Sequence, residues 1–230
     1  MSLSDELKEE TGRILADRWN VRDGQIVPEP GDLKLSNDAV RLKATVLYAD
    51  LSDSTVLVDR NKAHFAAEIY KCYLHCAAKI MRSEGGVISA YDGDRIMAIF
   101  IGDLKNTSSA RAGLKINYAV QKILQPAIKA QYPDTSYVLK QTVGIDTSEL
   151  FVARTGIRGS NDLVWVGRAA NYAAKLSDLS SDYPTWITED VYNMLADEVK
   201  TNNGQLMWEA RIWTAMGNKT IYRSSWRWAV

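Results

Sequence analysis

Histidine and cysteine are scarce in this chain. Of 230 residues, two are His and two are Cys. All four (His64, Cys72, His75 and Cys76) fall within one stretch, residues 62–82. A reaction built on a histidine base has little to draw on, so carboxylates become the candidates for catalysis. Two thiols and one imidazole on one helical turn do not make a closed metal site. Cys72 and Cys76 read instead as reduced cysteines on the buried face of a helix, and reduced cysteines suit a cytoplasmic location. Charge imbalance is lacking too: 28 Lys and Arg face 28 Asp and Glu. No bulk attraction to nucleic acid or acidic lipid follows from that balance. No apolar run nears the roughly 20 residues that cross a bilayer. The opening MSLSDELKEE is polar and acidic, unlike a signal peptide. Internal repeats and low-complexity tracts are absent as well. What remains is globular: 46% apolar and 24% charged, enough to bury a core.

Residues 4–18 (SDELKEETGRILADR) predict a short helix capped at Ser4. A capping box is missing there, because Leu7 stands where an acid or amide would be. Residues 26–38, with two prolines, read as a linker. The expected organisation is an N-terminal helix and linker over 1–39 and a catalytic domain over 40–230. LKATVLYADL alternates as a buried strand ending at Asp50. Residues 62–82 put Phe65, Ile69, Cys72, Tyr73, Cys76 and Ile80 on one helical face. GGVISAYDGDRIMAIF reads as a hairpin turning at Asp92-Gly93. A helix over 108–125 stops at Pro126. A strand over 137–148 follows, then LFVART, DLVWVG and a helix over 168–180. TWIT, a helix near 189–198 and two C-terminal strands close the chain. From 40 to 148 the order is β-α-β-β-α-β. This is an α+β fold of the ferredoxin-like, split βαβ type, with a mixed, mostly antiparallel sheet and flanking helices. The seven tryptophans read mainly as core and interface anchors.

In such a sheet the first and third strands are neighbours. Asp50 ends the first, and Asp94 follows the hairpin turn that leads into the third. Two carboxylates brought together there suit hard divalent cations, and two cations can activate an attacking oxygen and stabilise a leaving one. Each aspartate also makes sense as a plain turn residue. After Asp50, the small residues of LSDST leave backbone N–H groups at the next helix start, a phosphate-binding arrangement, although Ser and Asp also simply cap helices.

Three segments now carry a family likeness: ATVLYADLSDST, GGVISAYDGDRIMAIF and VGIDTSELFVARTGIRGSNDLVWVGRAANYAAKLSDL. In this order and spacing they resemble the class III adenylate and guanylate cyclases over roughly residues 40–225. The resemblance implies two Mn2+ or Mg2+ ions per active site, held by Asp50, Asp94 and the backbone carbonyl of Leu51. It implies that Asn171 orients the ribose. Lys175, where the family has Arg, would neutralise charge on the phosphate; a point charge replaces a bidentate fork there. Ser54 and Thr55 would bind phosphate, and Lys219, offset from the family position, the terminal phosphates. An exposed turn lysine is an equally good reading of Lys219. The family builds each site between two chains, which implies a homodimer with an arm near Arg154–Asp162 crossing the interface.

Where purine cyclases read the base with Lys and with Asp or Thr, this chain has Ala90 and Val164. A site without those groups cannot select a purine by those bonds. Tyr48 replaces the usual Phe, filling space beside a smaller base and offering it a hydroxyl. Trp165 adjoins Val164 at the expected base pocket. These departures resemble the stand-alone bacterial pyrimidine cyclases of Pycsar anti-phage systems, most of all the uridylate cyclases. The resemblance implies conversion of UTP to 3′,5′-cyclic UMP and pyrophosphate, with the product read by a separate effector protein. Nucleic acid and membrane are not expected partners. Two other readings stay open: a purine cyclase whose base readers have moved, and a silent cyclase-like module that binds nucleotide or dimerises.

Overall fold

Three chain crossings divide the protein into two units. One combines the N-terminal residues up to Lys43 with Glu149–Gly167; the other combines Ala44–Ser148 with Arg168–Val230. The computed structural model describes residues 2–230.

In the smaller unit, helix α1 (Leu3–Ala16) starts two residues earlier than its sequence suggests. Ser2, not Ser4, is the cap. Its hydroxyl accepts from the Asp5 N–H, and the Asp5 carboxylate accepts from the Ser2 N–H, both at 3.2 Å. The capping box is therefore complete, two residues ahead of the expected cap. Asn37 donates its side-chain amide to the carbonyls of Ile14 and Asp17, each at 2.8 Å, and so satisfies acceptors at the helix end. A strand not foreseen, β1 (Asn20–Asp23), pairs in parallel with the start of β2 (Asp38–Leu51). Four residues are too few to show a period. The expected linker holds one 3-10 turn, Pro30–Asp32. The outer half of β5 (Gln141–Ile157) pairs with β6 (Ser160–Val166) as a two-stranded ribbon turning at Arg158-Gly159. The two short pieces expected around 137–155 are thus one 17-residue strand.

The larger unit is built on a sheet with strand order β10-β11-β7-β5-β2-β4-β3. Its other strands are β3 (Val87–Asp92), β4 (Arg95–Phe100), β7 (Thr185–Thr188), β10 (Glu209–Trp213) and β11 (Lys219–Ser224). A small hairpin of β8 (Thr201–Asn202) and β9 (Gln205–Leu206) stands apart. As expected for a split βαβ sheet, β2 and β4 are neighbours, and they run antiparallel; β5 and β7 pair in parallel. The turn between β3 and β4 is Gly93-Asp94, one residue later than Asp92-Gly93. Asp92 still pairs with Arg95, and Gly93 takes the positive φ (60°) that a two-residue loop asks of its first position.

One face of the sheet presents Leu47, Ala49, Leu51, Ile96, Ala98 and Phe100 to the main core. Helix α3 (Ala63–Ser83) packs there with Phe65, Ile69, Tyr73 and Ile80 buried. Cys72 departs from the expected buried face: it is exposed, and Cys76 is half-buried. The stripe is narrower than the apolar letters suggested. Helix α4 (Lys105–Ala119) runs on through a π turn (Val120–Leu124) into α5 (Gln125–Gln131) rather than stopping at Pro126. Proline supplies no N–H and crowds the preceding turn. The wider π turn, in which Gln125 donates to the Val120 carbonyl, absorbs the mismatch. Helix α2 (Ser54–Arg60) links β2 to α3. The helix expected near 189–198 is two short ones, α7 (Glu189–Asn193) and α8 (Asp197–Lys200). Trp186, Trp208 and Trp213 are buried, whereas Trp19 is exposed. Among the described residues, no helix is long and apolar enough to cross a membrane.

The opposite face carries a second core of Leu176, Trp186, Trp213 and Ile221. Helix α6 (Arg168–Ser177) lies against it. This approach depends on Gly144 of β5. A Cβ there would sit 2.1 Å from the Ala173 carbonyl oxygen and 2.5 Å from the Ser177 nitrogen, both backbone atoms. Gly144→Ala is expected to cost about 3 kcal/mol as overpacking. Thermal unfolding should fall by about 6–12 °C, and an unchanged midpoint would show that α6 can shift freely.

Candidate active site

Strand register gathers the site. Across three strands, Ala90, Met97 and Tyr48 form one row, and Asp92, Arg95 and Asp50 form the next. Directly opposed residues share a face, and residues two apart along a strand do so too. Tyr48, Ala90, Asp50 and Arg95 therefore stand on the face opposite the α3–α4 core. Asp94 belongs to the turn beside this row and is half-buried. A bulge between Ile88 and Ala90 re-aims β3 just before the Ala90 row.

Asp50 is the electrostatic centre. Burial pushes its carboxyl up; the Arg95 guanidinium pulls it back, and the Asp94 and Asp178 charges add to the rise. Arg95 donates to Asp50 at 3.0 Å and to Asp178 at 2.8 Å, with its guanidinium carbon 5.8 Å from the Tyr48 ring centre. The Tyr48 phenol is pushed up, first by burial. Leu51 ends β2 with its side chain in the core, so only its backbone can serve a ligand. Just beyond, the Ser52 N–H donates to the Lys140 carbonyl at 3.0 Å and its hydroxyl meets that of Thr142 at 3.1 Å. These bonds pin the strand end. Asp53 then turns left-handed (φ 60°) and starts α2 without a side-chain cap. Ser54 is half-buried and Thr55 exposed there.

Asn171 and Lys175 are exposed, one turn apart on α6. No bond joins either to Asp50 or Asp94 within the chain. Asp178, a further turn along, does reach the Arg95 cluster. Val164 is exposed and Trp165 half-buried on β6, paired with Ala153 and Val152 in the smaller unit. Lys219 is exposed, in a cleft of about 210 Å³ with Arg168, Tyr172 and Asp190.

Sequence reasoning missed three charged residues. Arg95 and Asp178 gave no signal of their own, because their meeting depends on register and on the placement of α6. Asp146 did give one, as a charge in the otherwise apolar VGID of β5. It is fully buried and accepts from Thr188 at 2.6 Å and from Arg168 at 3.1 Å. Arg168 also reaches Asp190 at 2.5 Å. The first residue of α6 is thereby tied to the sheet.

The donor set suits a divalent cation. Asp50 and Asp94 are hard oxygen ligands within electrostatic reach of one another. Among the described residues, no cluster of three or more His, Cys, Asp or Glu could hold a metal. Two carboxylates with remaining ligands from backbone, water and substrate phosphate is the manner of Mg2+ rather than of a closed protein cage.

The fold is that of the class III nucleotidyl cyclase catalytic domains. The adenylyl cyclase CyaB of P. aeruginosa superposes with a TM-score of 0.68 at 22% identity, over 81% of this chain and 95% of that one. The guanylyl cyclase Cya2 gives 0.68 at 18%, over 82% and 94%. No family model matches the chain. Curated relatives are nearer. A uridylate cyclase of Xanthomonas perforans is 55% identical and one of Burkholderia cepacia 56%, each over the full length of both chains. A third, from Rhodovulum sp., is 38% identical over 99% of this chain and 98% of its own. The chain belongs to the uridylate cyclase family, and it is an enzyme, a lyase of the nucleotidyl cyclase type.

Two outcomes follow from the charges. Arg95→Met leaves Asp50 buried without its cation and should cost about 1–3 kcal/mol in denaturant unfolding with chelator, the partial exposure reducing the full buried-pair penalty. Asp178→Asn, at a residue whose side chain is 58% exposed, should change stability by less than about 1 kcal/mol; the reverse ranking would refute this picture of the cluster. For Asp146, burial raises the carboxyl pKa despite Thr188 and Arg168. Its contribution is complete below the unfolded carboxylate pKa and is lost as pH rises through the folded value. The destabilisation by Asp146→Asn should therefore be larger near pH 4 than at pH 7, and unfolding curves at the two pH values check the sign.

Proposed function

We propose that the chain converts UTP into 3′,5′-cyclic UMP and pyrophosphate, as a homodimer with two equivalent sites. The observation that carries this reading is that Tyr48 and Asp50 share one sheet face beside the turn that carries Asp94, in a chain 55–56% identical over its whole length to relatives named uridylate cyclase.

Asp50, Asp94 and the Leu51 carbonyl would hold two divalent ions, Mn2+ or Mg2+. When bound, these ions supply charge that favours ionisation of the ribose 3′-hydroxyl and departure of pyrophosphate. The chain's own residues do the positioning. Asp50, paired with Arg95 in this structure, would be one of the residues that hold a cation. Ser54 and Thr55, at the start of α2, hold phosphate oxygens. Asn171 and Lys175 are exposed in one protomer and serve the partner's carboxylates: Asn171 orients the ribose, and Lys175 meets charge growing on the α-phosphate. The gain comes from orientation and preorganised charge. A C2 dimer supplies both halves twice, and the β5–β6 ribbon around Arg154–Asp162 is the arm that crosses. Lys219 and the Arg168 beside it form the candidate site for the terminal phosphates.

Base choice follows from what is missing. Ala90 and Val164 offer no hydrogen bond to a purine edge. Tyr48 fills the space beside a smaller ring and presents its hydroxyl. Cyclic UMP would then serve as a cytoplasmic signal in anti-phage defence, read by a separate effector.

The test incubates the purified protein with Mn2+ and each of ATP, GTP, CTP and UTP in turn, with products identified by mass. Cyclic UMP should dominate. Asp50→Ala and Asp94→Ala should each lower turnover by at least about a hundredfold. Cyclic AMP or cyclic GMP as the main product would refute the base reading; no cyclic product from a folded dimer would favour a silent binding module.

A further inference from the structure

Two surfaces of the chain lack a partner, and each offers what the other wants. The first is helix α1. None of its residues is buried, and Leu3, Leu7, Ile14 and Leu15 are 49–80% exposed. At 3.6 residues per turn these four form one stripe, with Glu6 and Glu10 along its border. Among the described residues Glu6 forms no ion pair, and Glu10 has only its exposed one to Arg13. A helix of 14 residues draws most of its stability from packing an apolar face, and this face is bare.

The second surface is a groove of about 580 Å³ between α3 and β3. Leu74 and Ala78 of the helix and Ile88 and Tyr91 of the strand give it an apolar floor. β3 is the end strand of the sheet, with Val87 and Tyr91 exposed. Covering with a helix is one way that proteins protect such an edge. Along α3 beside the floor runs a row of exposed basic side chains, Lys71, His75, Lys79 and Arg82. Among the described residues Lys71, Lys79 and Arg82 form no ion pair. Like charges one turn apart destabilise a helix by about 0.2–0.5 kcal/mol per pair, a cost that an acidic neighbour would remove.

The chain is neutral overall, but its charge is sorted. Helix α1 carries Asp5, Glu6, Glu9 and Glu10 against Lys8 and Arg13. That acidic excess opposes pairing of α1 with another α1 and favours a basic seat. We infer that α1 of one chain docks in the α3–β3 groove of a second copy, with Leu3 and Leu7 on the apolar floor and Glu6 and Glu10 facing Lys79 and Arg82. The inference rests on the homodimer proposed above and adds a second contact to it. Two-fold exchange uses each helix and each groove once and covers the edge of both sheets.

The experiment uses the full-length protein at low salt, where exposed charges act most strongly. A helix variant carries Glu6→Lys and Glu10→Lys; a groove variant carries Lys79→Glu and Arg82→Glu. All four positions are exposed, and circular dichroism checks that both variants fold. Dimer dissociation on dilution is followed by analytical ultracentrifugation. Each variant alone should dissociate at a concentration at least about 10-fold higher than wild type, because like charges then meet in both contacts. In an equal mixture of the two, with different tags, both contacts of a heterodimer are attractive again. Heterodimers should then exceed their statistical share and resist dilution as wild type does. Wild-type dissociation of both variants would overturn the inference. So would weakening with no heterodimer preference, which would place the contact within one chain. A helix variant that dimerises more tightly, with the groove variant unchanged, would point to α1 against α1 and would also overturn it. A wild type that is monomeric at every concentration would bring down the two-chain reading, and the inference with it.

Discussion

The register of β4 against β2 is the constraint from which the site follows. With Asp50 opposite Arg95 and Tyr48 opposite Met97, the carboxylate and the aromatic ring share a face, and Leu47, Ala49 and Leu51 fill the core behind them. A slip of one residue would exchange the two sets and bury the charge in the core. The apolar set fixes the register because the alternative is so costly, and the two-residue Gly93-Asp94 turn then sets a second carboxylate at the edge of the same row. The site is a by-product of a well-specified core.

Charge is held under tension on the site face. Asp50 is pushed toward its neutral form by burial and by two neighbouring carboxylates, and only Arg95 opposes this. Arg95 is shared with Asp178, so its charge is divided. A divalent ion would resolve the conflict more completely than one guanidinium. Arg168 works differently. Its bonds to Asp146 and Asp190 lock the first turn of α6, while Gly144 lets the rest of that helix lie close on the sheet. A helix fixed at both levels can present Asn171 and Lys175 as a rigid, exposed pair, which suits residues that act on a second chain.

Much of the fold was legible before any coordinates. The alternation in LKATVLYADL, the helical stripe of residues 62–82 and the turn chemistry around Gly93 each specify local structure, and together they imply that β2 and β4 are neighbours. The errors fell where tertiary context outweighs local signals. Pro126 reads as a helix stop, but a π turn carries the helix past it. Ser4 looks like a cap, but Ser2 completes the box with Asp5. Cys72 belongs to the apolar alphabet and still faces outward. Asp50, Asp94 and Tyr48 stand in contiguous motifs, so they could be proposed as site residues from sequence. Arg95 and Asp178 could not, because their significance comes from contacts across strands and helices that spacing along the chain does not encode.

The central claim is that Asp50 and Asp94 form one cation-binding centre beside a pocket shaped for a small base. The most direct measurement is a crystal structure with Mn2+ and a non-hydrolysable UTP analogue, with an anomalous difference map collected at the manganese edge. The account predicts two peaks coordinated by Asp50 and Asp94 of one protomer, with Asn171 and Lys175 of its partner at the ribose and α-phosphate and the uracil ring against Tyr48. Manganese bound elsewhere, or a nucleotide lying away from this face with Arg95 still paired to Asp50, would contradict it.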